Sequence, residues 1–345
     1  MGYRLSICIA TRNRAKYIGE TLASIASQVT DGVEVVVLDG ASTDGTPEVV
    51  EALVPSMPYL KLVRKTKNGG VDRDYDEAVT CAGGDYCWLL SDDDPLLPGA
   101  VDKVLAAIGK GVDLVVVNSE LRTFGMDEVL DPNRLGLDQD RHYGPGETDR
   151  LFAETSAYLT YIGAVVIRRS LWMSRDREAF FGSYFIHVGV IFQAALPNGA
   201  LVLASPGISI RFGNTQWRPK EFEIRMVRWT ELVWSLAAVS EGVRSRLYRR
   251  RPWTSAKSLF FYRAKGTYDI SDYHAWVFPR TSRRWERWLA ATIARFPGSL
   301  ANLIGLLVCR IPYRDSNIHL LDMKASRYYL PYLLGPGKGA VRRSA

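Results

Sequence analysis

The feature that most constrains the fold is a regular alternation of short apolar runs and amphipathic segments over the first 108 residues. Apolar runs rich in β-branched residues predict strands, and apolar residues at helical spacing predict the helices between them. The predicted strands cover residues 4–10, 33–38, 60–64 and 86–90, and the predicted helices cover residues 16–26, 46–53, 72–82 and 99–108. This alternation indicates an α/β fold with a mostly parallel central sheet flanked by helices.

Polar side chains follow three of these predicted strands. Thr11 comes after the first strand, Asp39 ends the second, and Asp92, Asp93 and Asp94 follow the fourth. The carboxyl ends of parallel strands meet at one edge of a sheet, where such folds bind ligands, so we expect these side chains to lie together. Turn formation is the alternative interpretation of Thr11 and Asp39.

The run Asp92-Asp93-Asp94 is costly to place at the end of a buried strand, because close like charges raise one another's pKa unless a positive group neutralises them. Mg²⁺ and Mn²⁺ prefer oxygen ligands and often bind one or two carboxylates together with phosphate oxygens. The run therefore predicts a divalent cation between these acids and a nucleoside diphosphate. A helix cap or a solvated turn is the alternative interpretation.

Five motifs occur in a fixed order over roughly the first hundred residues. They are Thr11-Arg12-Asn13-Arg14, Asp39 with Ala41-Ser42-Thr43-Asp44-Gly45-Thr46, Asn68-Gly69-Gly70, Ala82-Gly83-Gly84-Asp85-Tyr86, and Ser91-Asp92-Asp93-Asp94. In this order the chain resembles the family 2 glycosyltransferases of the GT-A fold. The stretch from Asn68 to Asp94 looks most like the abequosyltransferase-type enzymes of O-antigen and cell-wall assembly.

The resemblance implies a role for Thr11 and for each of the candidate aspartates. Thr11 and Asp39 would contact the base and ribose of the donor nucleotide, and Asp92 would contact the ribose. Asp93 would be the principal ligand of Mn²⁺ or Mg²⁺, with Asp94 beside it. Asp72 is a further candidate for the base pocket, and an N-cap of the following helix is its alternative role.

The sequence departs from the family pattern in two places. Ser91 replaces the usual first acid of the metal motif. The family places an acidic catalytic base in the second half of the domain, but residues 183–190 contain no acid, and His187 occupies that place. An imidazole is a competent base near neutral pH. A buried structural histidine is the alternative, and Asp176 and Glu178 are reserve candidates for the base.

The resemblance implies a metal-dependent, inverting glycosyltransferase. It would move a sugar, including a deoxysugar, from a nucleoside diphosphate donor to a hydroxyl of a glycan or lipid-linked oligosaccharide. Because the expected acidic base is missing, a non-catalytic module that binds a nucleotide sugar or a carbohydrate is the alternative function. A sugar nucleotidyltransferase is disfavoured because residues 11–15 contain no glycine-rich phosphate loop.

The remaining sequence predicts strands at residues 114–118 and 164–168, a long loop or insertion at residues 123–147, and Trp- and Arg-bearing helices such as residues 221–239. We therefore expect a catalytic GT-A domain at residues 1–215 and a mainly helical region at residues 216–345. The first part has 20 basic and 28 acidic residues, whereas the second has 24 basic and 9 acidic residues.

The basic C-terminal region predicts an anionic partner. Its arginines alternate with tryptophans around Trp285 and Trp288, which suits an anionic membrane surface, although a solvated face over a helical core is the alternative. Nucleic acid is not expected, because no known reading module accompanies these residues. Four scattered cysteines and apolar runs shorter than a membrane span predict a cytoplasmic protein, peripheral on the inner face of the cytoplasmic membrane.

Overall fold

A computed structural model of the protein describes residues 2–311 and 316–331. The chain divides into two compact units. The first unit contains Met1–Asn214 and Leu232–Leu247, and the second contains Thr215–Glu231 and Tyr248–Ala345. Residues 232–247, which we expected in the C-terminal region, therefore group with the first unit. Residues 312–315 and 332–345 of the predicted C-terminal region lie outside the described residues.

The first unit is built on a large mixed sheet. Eight of its described strands form this sheet in the order β3-β2-β1-β4-β9-β5-β10-β8. These strands are β1 (Leu5–Thr11), β2 (Val33–Asp39), β3 (Leu60–Arg64), β4 (Tyr86–Leu90), β5 (Leu114–Val116), β8 (Arg141–Tyr143), β9 (Val165–Arg168) and β10 (Ala200–Val202). Strands β6 (Ser119–Arg122), β7 (Val129–Asp131) and β11 (Ile208–Arg211) form a second sheet in the order β11-β6-β7.

The parallel half of the large sheet is the half that the sequence predicts best. β1 pairs in parallel with β2 and β4, and β2 pairs in parallel with β3. β9 runs antiparallel to both β4 and β5. The predicted α/β class with a mostly parallel central sheet is therefore confirmed. The predicted loop or insertion at residues 123–147 contains two short strands, β7 and β8.

Seven described α-helices between residues 18 and 192 flank or follow these strands. They are α1 (Ile18–Ala26), α2 (Thr46–Leu53), α3 (Val71–Cys81), α4 (Ala100–Ile108), α5 (Thr148–Thr155), α6 (Arg169–Ser174) and α7 (Ile186–Phe192). α1, α2 and α4 bury their apolar faces with one side of the sheet, where Ile7, Ile9 and Trp88 are fully buried. The buried Trp88 indole donates to the Gly163 carbonyl at 2.8 Å, so this large side chain is packed without an unpaired polar atom.

Gly84 explains why a glycine precedes β4 in the fourth sequence motif. A Cβ at this position would lie 2.6 Å from Ser6 Oγ and 2.8 Å from the Ser6 backbone nitrogen. The Gly84 N–H instead donates to Ser6 Oγ at 2.8 Å, and Ser6 Oγ donates to the buried Glu34 carboxylate. The motif therefore allows the chain entering β4 to approach β1 closely, which fixes the register of the two strands that carry the site.

The second unit is mainly helical. Its described helices include α10 (Ala256–Lys265), α11 (Ile270–Asp272), α12 (Arg284–Arg295), α13 (Gly298–Cys309) and α14 (Ser316–Lys324). The Ser255 side chain caps α10, and Gly266, with φ near 79°, ends it. A buried cluster that includes Phe222, Tyr268, Tyr273 and Ile293 forms its core.

The single helix that the sequence predicts at residues 221–239 is divided in the structure. A π-helical segment, Glu223–Arg228, precedes α8 (Trp229–Ser235), and α9 (Glu241–Leu247) follows. No single helix in the described ranges is long and apolar enough to cross a membrane. α12 and α13, which are bent by 93° relative to each other, meet that test only as a pair.

Candidate active site at the carboxyl edge of the parallel strands

The register of the sheet brings the predicted polar residues to one edge. Thr11 of β1 lies beside Asp39 of β2, and Ile9 of β1 lies beside Leu90, the last residue of β4. Two residues beyond Leu90, Asp92 begins the run of three buried acids. We call Thr11, Asp39 and Asp92 to Asp94 the acidic edge. The structure therefore brings together five of the seven predicted site residues.

Asp39 has an acceptor atom that the fold leaves unsatisfied. Its Oδ2 accepts a hydrogen bond from the Ser42 N–H at 3.1 Å, but Oδ1 is buried and has no hydrogen-bond partner among the described residues. A buried carboxylate oxygen without a donor costs free energy unless a ligand supplies one. Asp39 is therefore positioned to accept a hydrogen bond from a bound molecule.

Lys65, which follows β3 next to Asp39 of β2, forms ion pairs with Asp74 and Glu77 that the sequence did not predict. The Lys65 N–H donates to the Asp39 carbonyl at 3.0 Å, and Lys65 Nζ donates to Asp74 Oδ1 at 2.9 Å and to Glu77. Burial opposes the charge on Lys65, but the bonds to Glu77 and Asp74 raise its pKa. A Cβ at Gly40 would lie 2.6 Å from Asp74 Oδ2, so glycine here admits Asp74. The shared helical face of Asp74 and Glu77 was the only sequence signal.

Arg14 is the principal counter-ion of the acidic run. Its Nε donates to Asp92 Oδ1 at 3.2 Å, and its Nη2 donates to Asp93 Oδ2 at 3.1 Å. The Asn214 side chain also donates to Asp93 Oδ2, at 2.6 Å, and the Asn214 carbonyl accepts from Arg14 at 3.1 Å. Arg14 belongs to the first sequence motif, but we assigned it no role, because its contact with residues 78 positions away leaves no local pattern.

Asp94 is held differently from its two neighbours. Its Oδ1 accepts from the Arg211 N–H at 2.9 Å, and its Oδ2 accepts from the Tyr161 hydroxyl at 2.9 Å. Burial, followed by the charge of Asp93, raises the pKa of Asp94 to about 8. Asp94 therefore ties the end of β4 to β11 and to the segment before β9.

The carboxyl groups of Asp92 to Asp94 in the acidic edge have raised pKa values, mainly because they are buried. Burial raises the pKa of Asp92 to about 6, although Arg14 and the Thr11 hydroxyl lower it. Burial also raises the pKa of Asp93, against the effect of Arg14. These carboxylates are expensive to ionise in the fold alone, so a further cation would stabilise them.

The donor set fits a divalent metal only if the substrate completes the coordination. In the part of the chain that the structure describes, no group of three His, Cys, Asp or Glu side chains is arranged to hold a metal ion. Mg²⁺ typically takes one or two carboxylates and completes its shell with phosphate oxygens and water. Asp93, with Asp92 beside it, matches that need, whereas both oxygens of Asp94 already accept protein hydrogen bonds.

Asp72 does not belong to the acidic edge. Its Oδ2 accepts from the N–H groups of Gly182 and Tyr184, each at 2.8 Å, and its Oδ1 accepts from the Ile186 N–H at 3.1 Å. It is also not the N-cap of α3, because α3 begins at Val71. Burial raises the pKa of Asp72, while these three N–H groups lower it. Asp72 thus fixes residues 182–187, which we call the α7 entry segment.

His187 lies in the α7 entry segment and is 1% exposed. Its Nε2 lies 2.7 Å from the Leu159 carbonyl, and since a carbonyl only accepts, Nε2 carries the proton. Nδ1 is buried and has no partner among the described residues. Burial lowers the pKa of His187 to about 4. This geometry favours the structural alternative for His187, and its role as a base is an untested prediction.

The two reserve candidates for the base lie away from the acidic edge in sequence and contacts. Asp176 is exposed, and its Oδ1 accepts from the Ala179 N–H in its own turn. Glu178 is an exposed residue of the short 3₁₀ segment Glu178–Phe180. The structure therefore brings neither carboxylate together with Asp39 or Asp93.

Comparisons with known proteins found similar glycosyltransferases. Residues 6–171 match the model of glycosyl transferase family 2. The chain is 25% identical over 229 residues to abequosyltransferase RfbV of Salmonella typhimurium, which covers 63% of this chain and 69% of that protein. It is 33% identical over 129 residues to chondroitin synthase of Pasteurella multocida, a match that covers 37% of this chain and 13% of that protein.

The fold is also similar to a solved structure. The crystal structure of S. aureus TarS 1-349 in complex with UDP-GlcNAc superposes with a TM-score of 0.57 at 16% identity, over 93% of this chain and 89% of that chain. The fold, its acidic edge and these matches define the class of the protein, which is a glycosyltransferase with a GT-A fold. Residues 6–171 match the model of glycosyl transferase family 2, which confirms the family resemblance for this part of the chain.

Proposed function

We propose that the protein transfers a sugar from a nucleoside diphosphate sugar to a hydroxyl of a glycan or lipid-linked oligosaccharide during assembly of a cell-surface polysaccharide. The observation that carries this proposal is the acidic edge. It combines buried acids whose pKa values are raised with an unsatisfied buried oxygen on Asp39. A nucleotide that arrives with a cation would satisfy both needs at once.

The nucleotide would occupy the side of the edge formed by β1 and β2. Asp39 Oδ1 would accept a hydrogen bond from the base or ribose, and Thr11 and Asp92 would contact the same moiety. Lys65 and Asp74 would complete this pocket, because their hydrogen bond fixes a donor and an acceptor next to Asp39. Asp72 is left out of the pocket, since its oxygens are occupied by the α7 entry segment.

Asp93 is the residue that would hold Mn²⁺ or Mg²⁺, with Asp92 beside it and with diphosphate oxygens completing the shell. Asp94 would serve mainly to position this pair, because its bonds to Arg211 and Tyr161 fix the backbone after β4. When bound, such a metal supplies positive charge to the departing diphosphate. Arg14 already bridges Asp92 and Asp93, because each carboxylate accepts a hydrogen bond from its guanidinium group.

The acceptor hydroxyl would attack the anomeric carbon from the side opposite the diphosphate, with inversion at that carbon, as the family resemblance implies. This step needs a base for the hydroxyl proton. His187 occupies the expected position in the sequence, yet its ring is buried and its Nε2 is bonded to Leu159. For His187 to act as the base, the α7 entry segment would have to move and expose Nδ1.

The relatives suggest substrates to test. RfbV is named as an abequosyltransferase, which favours a deoxysugar donor, and TarS was crystallised with UDP-GlcNAc, which favours a uridine nucleotide. A lipid-linked acceptor would place the enzyme on the inner face of the cytoplasmic membrane. The family match supports an enzyme over the non-catalytic binding module.

The test is a panel of nucleoside diphosphate sugars incubated with the purified protein, a lipid-linked oligosaccharide acceptor, and Mn²⁺, Mg²⁺ or EDTA. We expect release of nucleoside diphosphate with one donor class, dependent on either metal and on the acceptor. Donor binding without release under every metal condition would support the binding module and overturn the proposal. Full activity in EDTA would overturn only its metal component.

A further inference from the structure

The second unit carries an exposed apolar stripe along α13. Leu300, Ile304, Leu307, Val308 and Ile311 recur at helical spacing and are all exposed, with Ile311 at 65%. The opposite face of the same helix is buried and carries Ala301, Leu306 and Cys309. α13 is therefore apolar on both faces, and only one of them is used by the core of its own unit.

The preceding helix adds aromatic and positively charged groups. Trp285 and Trp288 of α12 are 58% and 69% exposed. Arg283, Arg284 and Arg295 are also exposed. Tryptophan has an apolar body with a polar N–H group and arginine has an apolar stem with a charged end, so both suit the boundary between lipid tails and water. We call this surface of α12 and α13, together with Ile311, the Trp-Arg face.

We infer that the Trp-Arg face binds the surface of an anionic lipid bilayer. The apolar stripe of α13 would enter the acyl boundary, the tryptophans would lie at the headgroup level, and the arginines would contact lipid phosphates. This inference goes beyond the proposed function, since neither the acidic edge nor sugar transfer requires a second surface.

Charge decides between a bilayer and a second copy of the chain. Residues 283–311, which carry this face, contain five arginines and one acidic residue, so two copies that met through it would bring like charges together. An anionic bilayer offers the opposite charge together with an apolar interior. A nucleic acid would satisfy the arginines but would leave the aliphatic stripe in water.

The geometry of the two helices indicates that they lie in the interface and do not cross the bilayer. Each helix has 12 residues, which is about 18 Å, whereas the hydrocarbon core is about 30 Å thick. The bend of 93° between them prevents one straight span. Binding would therefore be peripheral, salt-sensitive and reversible.

The test is co-sedimentation of the full chain with two kinds of vesicle, phosphatidylcholine alone and phosphatidylcholine with about 30% phosphatidylglycerol, a fraction chosen to give an anionic surface. We expect partitioning onto the anionic vesicles to be about tenfold stronger and to weaken as salt rises. The double variant Leu307→Glu/Val308→Glu should lose about tenfold or more of this partitioning, because it places charge in the acyl boundary.

Leu247→Glu is the matched control, because Leu247 is a similarly exposed helical leucine in the first unit. It should bind like the wild type. Thermal unfolding of all proteins confirms that they are folded, and light scattering measures their oligomeric state. Equal binding to neutral and anionic vesicles would overturn the inference, and so would unchanged binding by the folded double variant. The inference would also be overturned if the wild type were a dimer and the double variant became a monomer without losing lipid binding.

Discussion

The acidic edge and the α7 entry segment both bury polar groups that the sequence suggested for catalysis, but they treat those groups differently. The α7 entry segment donates three backbone N–H groups to Asp72 of α3, and its His187 Nε2 donates to the Leu159 carbonyl. At the acidic edge, Asp39 keeps an unpartnered buried oxygen, and Asp92 and Asp93 share the single guanidinium group of Arg14.

The difference shows how structural and functional acids can be separated in this protein. Residue type does not separate them, since Asp39 and Asp72 are both buried aspartates that follow a strand or begin a helix. The supply of hydrogen-bond donors to each carboxylate separates the structural acids from the functional ones. A carboxylate whose oxygens are all satisfied by backbone stabilises the fold, whereas one that lacks donors or counter-charge is prepared for a ligand.

The largest expected effect is at the acidic edge. Asp93→Asn removes the charge that would hold the metal but keeps the shape of the side chain, so transfer should fall about 10²- to 10³-fold. Thermal unfolding should change little, because the substitution removes a buried carboxylate with a raised pKa. Initial rates of nucleoside diphosphate release measure the loss. Asp138→Asn, at an exposed aspartate, is the control. Unchanged transfer would remove Asp93 from the site.

For Asp72, which holds the α7 entry segment, we expect a substitution to lower the stability of the fold. Asp72→Asn replaces an acceptor-only carboxylate with an amide that turns an NH₂ group toward backbone N–H donors. The free energy of unfolding should therefore fall by about 3 kcal/mol, as measured by urea denaturation. If Asp72→Asn instead left stability unchanged and weakened donor binding, Asp72 would belong with the acidic edge after all.

A smaller effect concerns the pH dependence of stability. Burial lowers the pKa of His187 to about 4, below its ordinary value of 6.5, so the unfolded chain takes up a proton first as pH falls. His187 should therefore cost the fold about 2 kcal/mol between pH 6.5 and pH 4.5. His187→Gln keeps a donor for Leu159 and should abolish this component of the pH slope.

Urea denaturation at several pH values compares the slopes of wild type and His187→Gln, which cancels the contributions of the buried aspartates. The control is His142→Gln, a matched substitution at an exposed histidine. Equal slopes for wild type and His187→Gln would mean that His187 is accessible to protons in the native state. That outcome would revive its role as the base.

The smallest expected effect is at Asp39. In Asp39→Asn, one of the two side-chain oxygens becomes an NH₂ group. In one amide orientation this group replaces the unpartnered Oδ1, and the remaining oxygen still accepts from the Ser42 N–H; in the other orientation the NH₂ group faces Ser42. Donor affinity should fall about tenfold, or about 1.4 kcal/mol, while the free energy of unfolding changes by less than about 0.5 kcal/mol. Isothermal titration with the donor nucleotide measures the affinity. A loss of stability like that of Asp72→Asn would erase the distinction between the two regions.

Much of the parallel half of the sheet was predictable from sequence. The bounds of β3 and β4 agree with the predicted residues 60–64 and 86–90, because each strand is an apolar run between polar turn residues. β7 and β8 were not predictable, since three residues are too few to show a period. The π-helical Glu223–Arg228 also escaped prediction, because its apolar residues mimic an ordinary helix.

The site was predictable to the extent that it follows strand ends. The positions of Thr11, Asp39 and Asp92 to Asp94 follow from the chain order of β1, β2 and β4. The contacts of Arg14 with Asp92 and of Arg211 with Asp94 join residues far apart in sequence and leave no local signal. The hydrogen bonds of Asp72 were not predictable for the same reason, because its donors lie at least 110 residues away, and its role in the base pocket stays an untested prediction.

Helix α3 has a consequence for redesign of donor choice. Within its first turn, Asp74 faces Lys65 beside Asp39, and Asp72 anchors the α7 entry segment, whose Tyr184 has a positive φ of 68°. Replacing this helix with that of a relative that uses another donor would therefore change both the contact of Asp74 with Lys65 and the contact of Asp72 with the α7 entry segment. Chimeras in which residues 65–74 come from the relative but Asp72 is retained should fold correctly. If Asp72 is exchanged as well, residues 182–187 would have to come from the same relative.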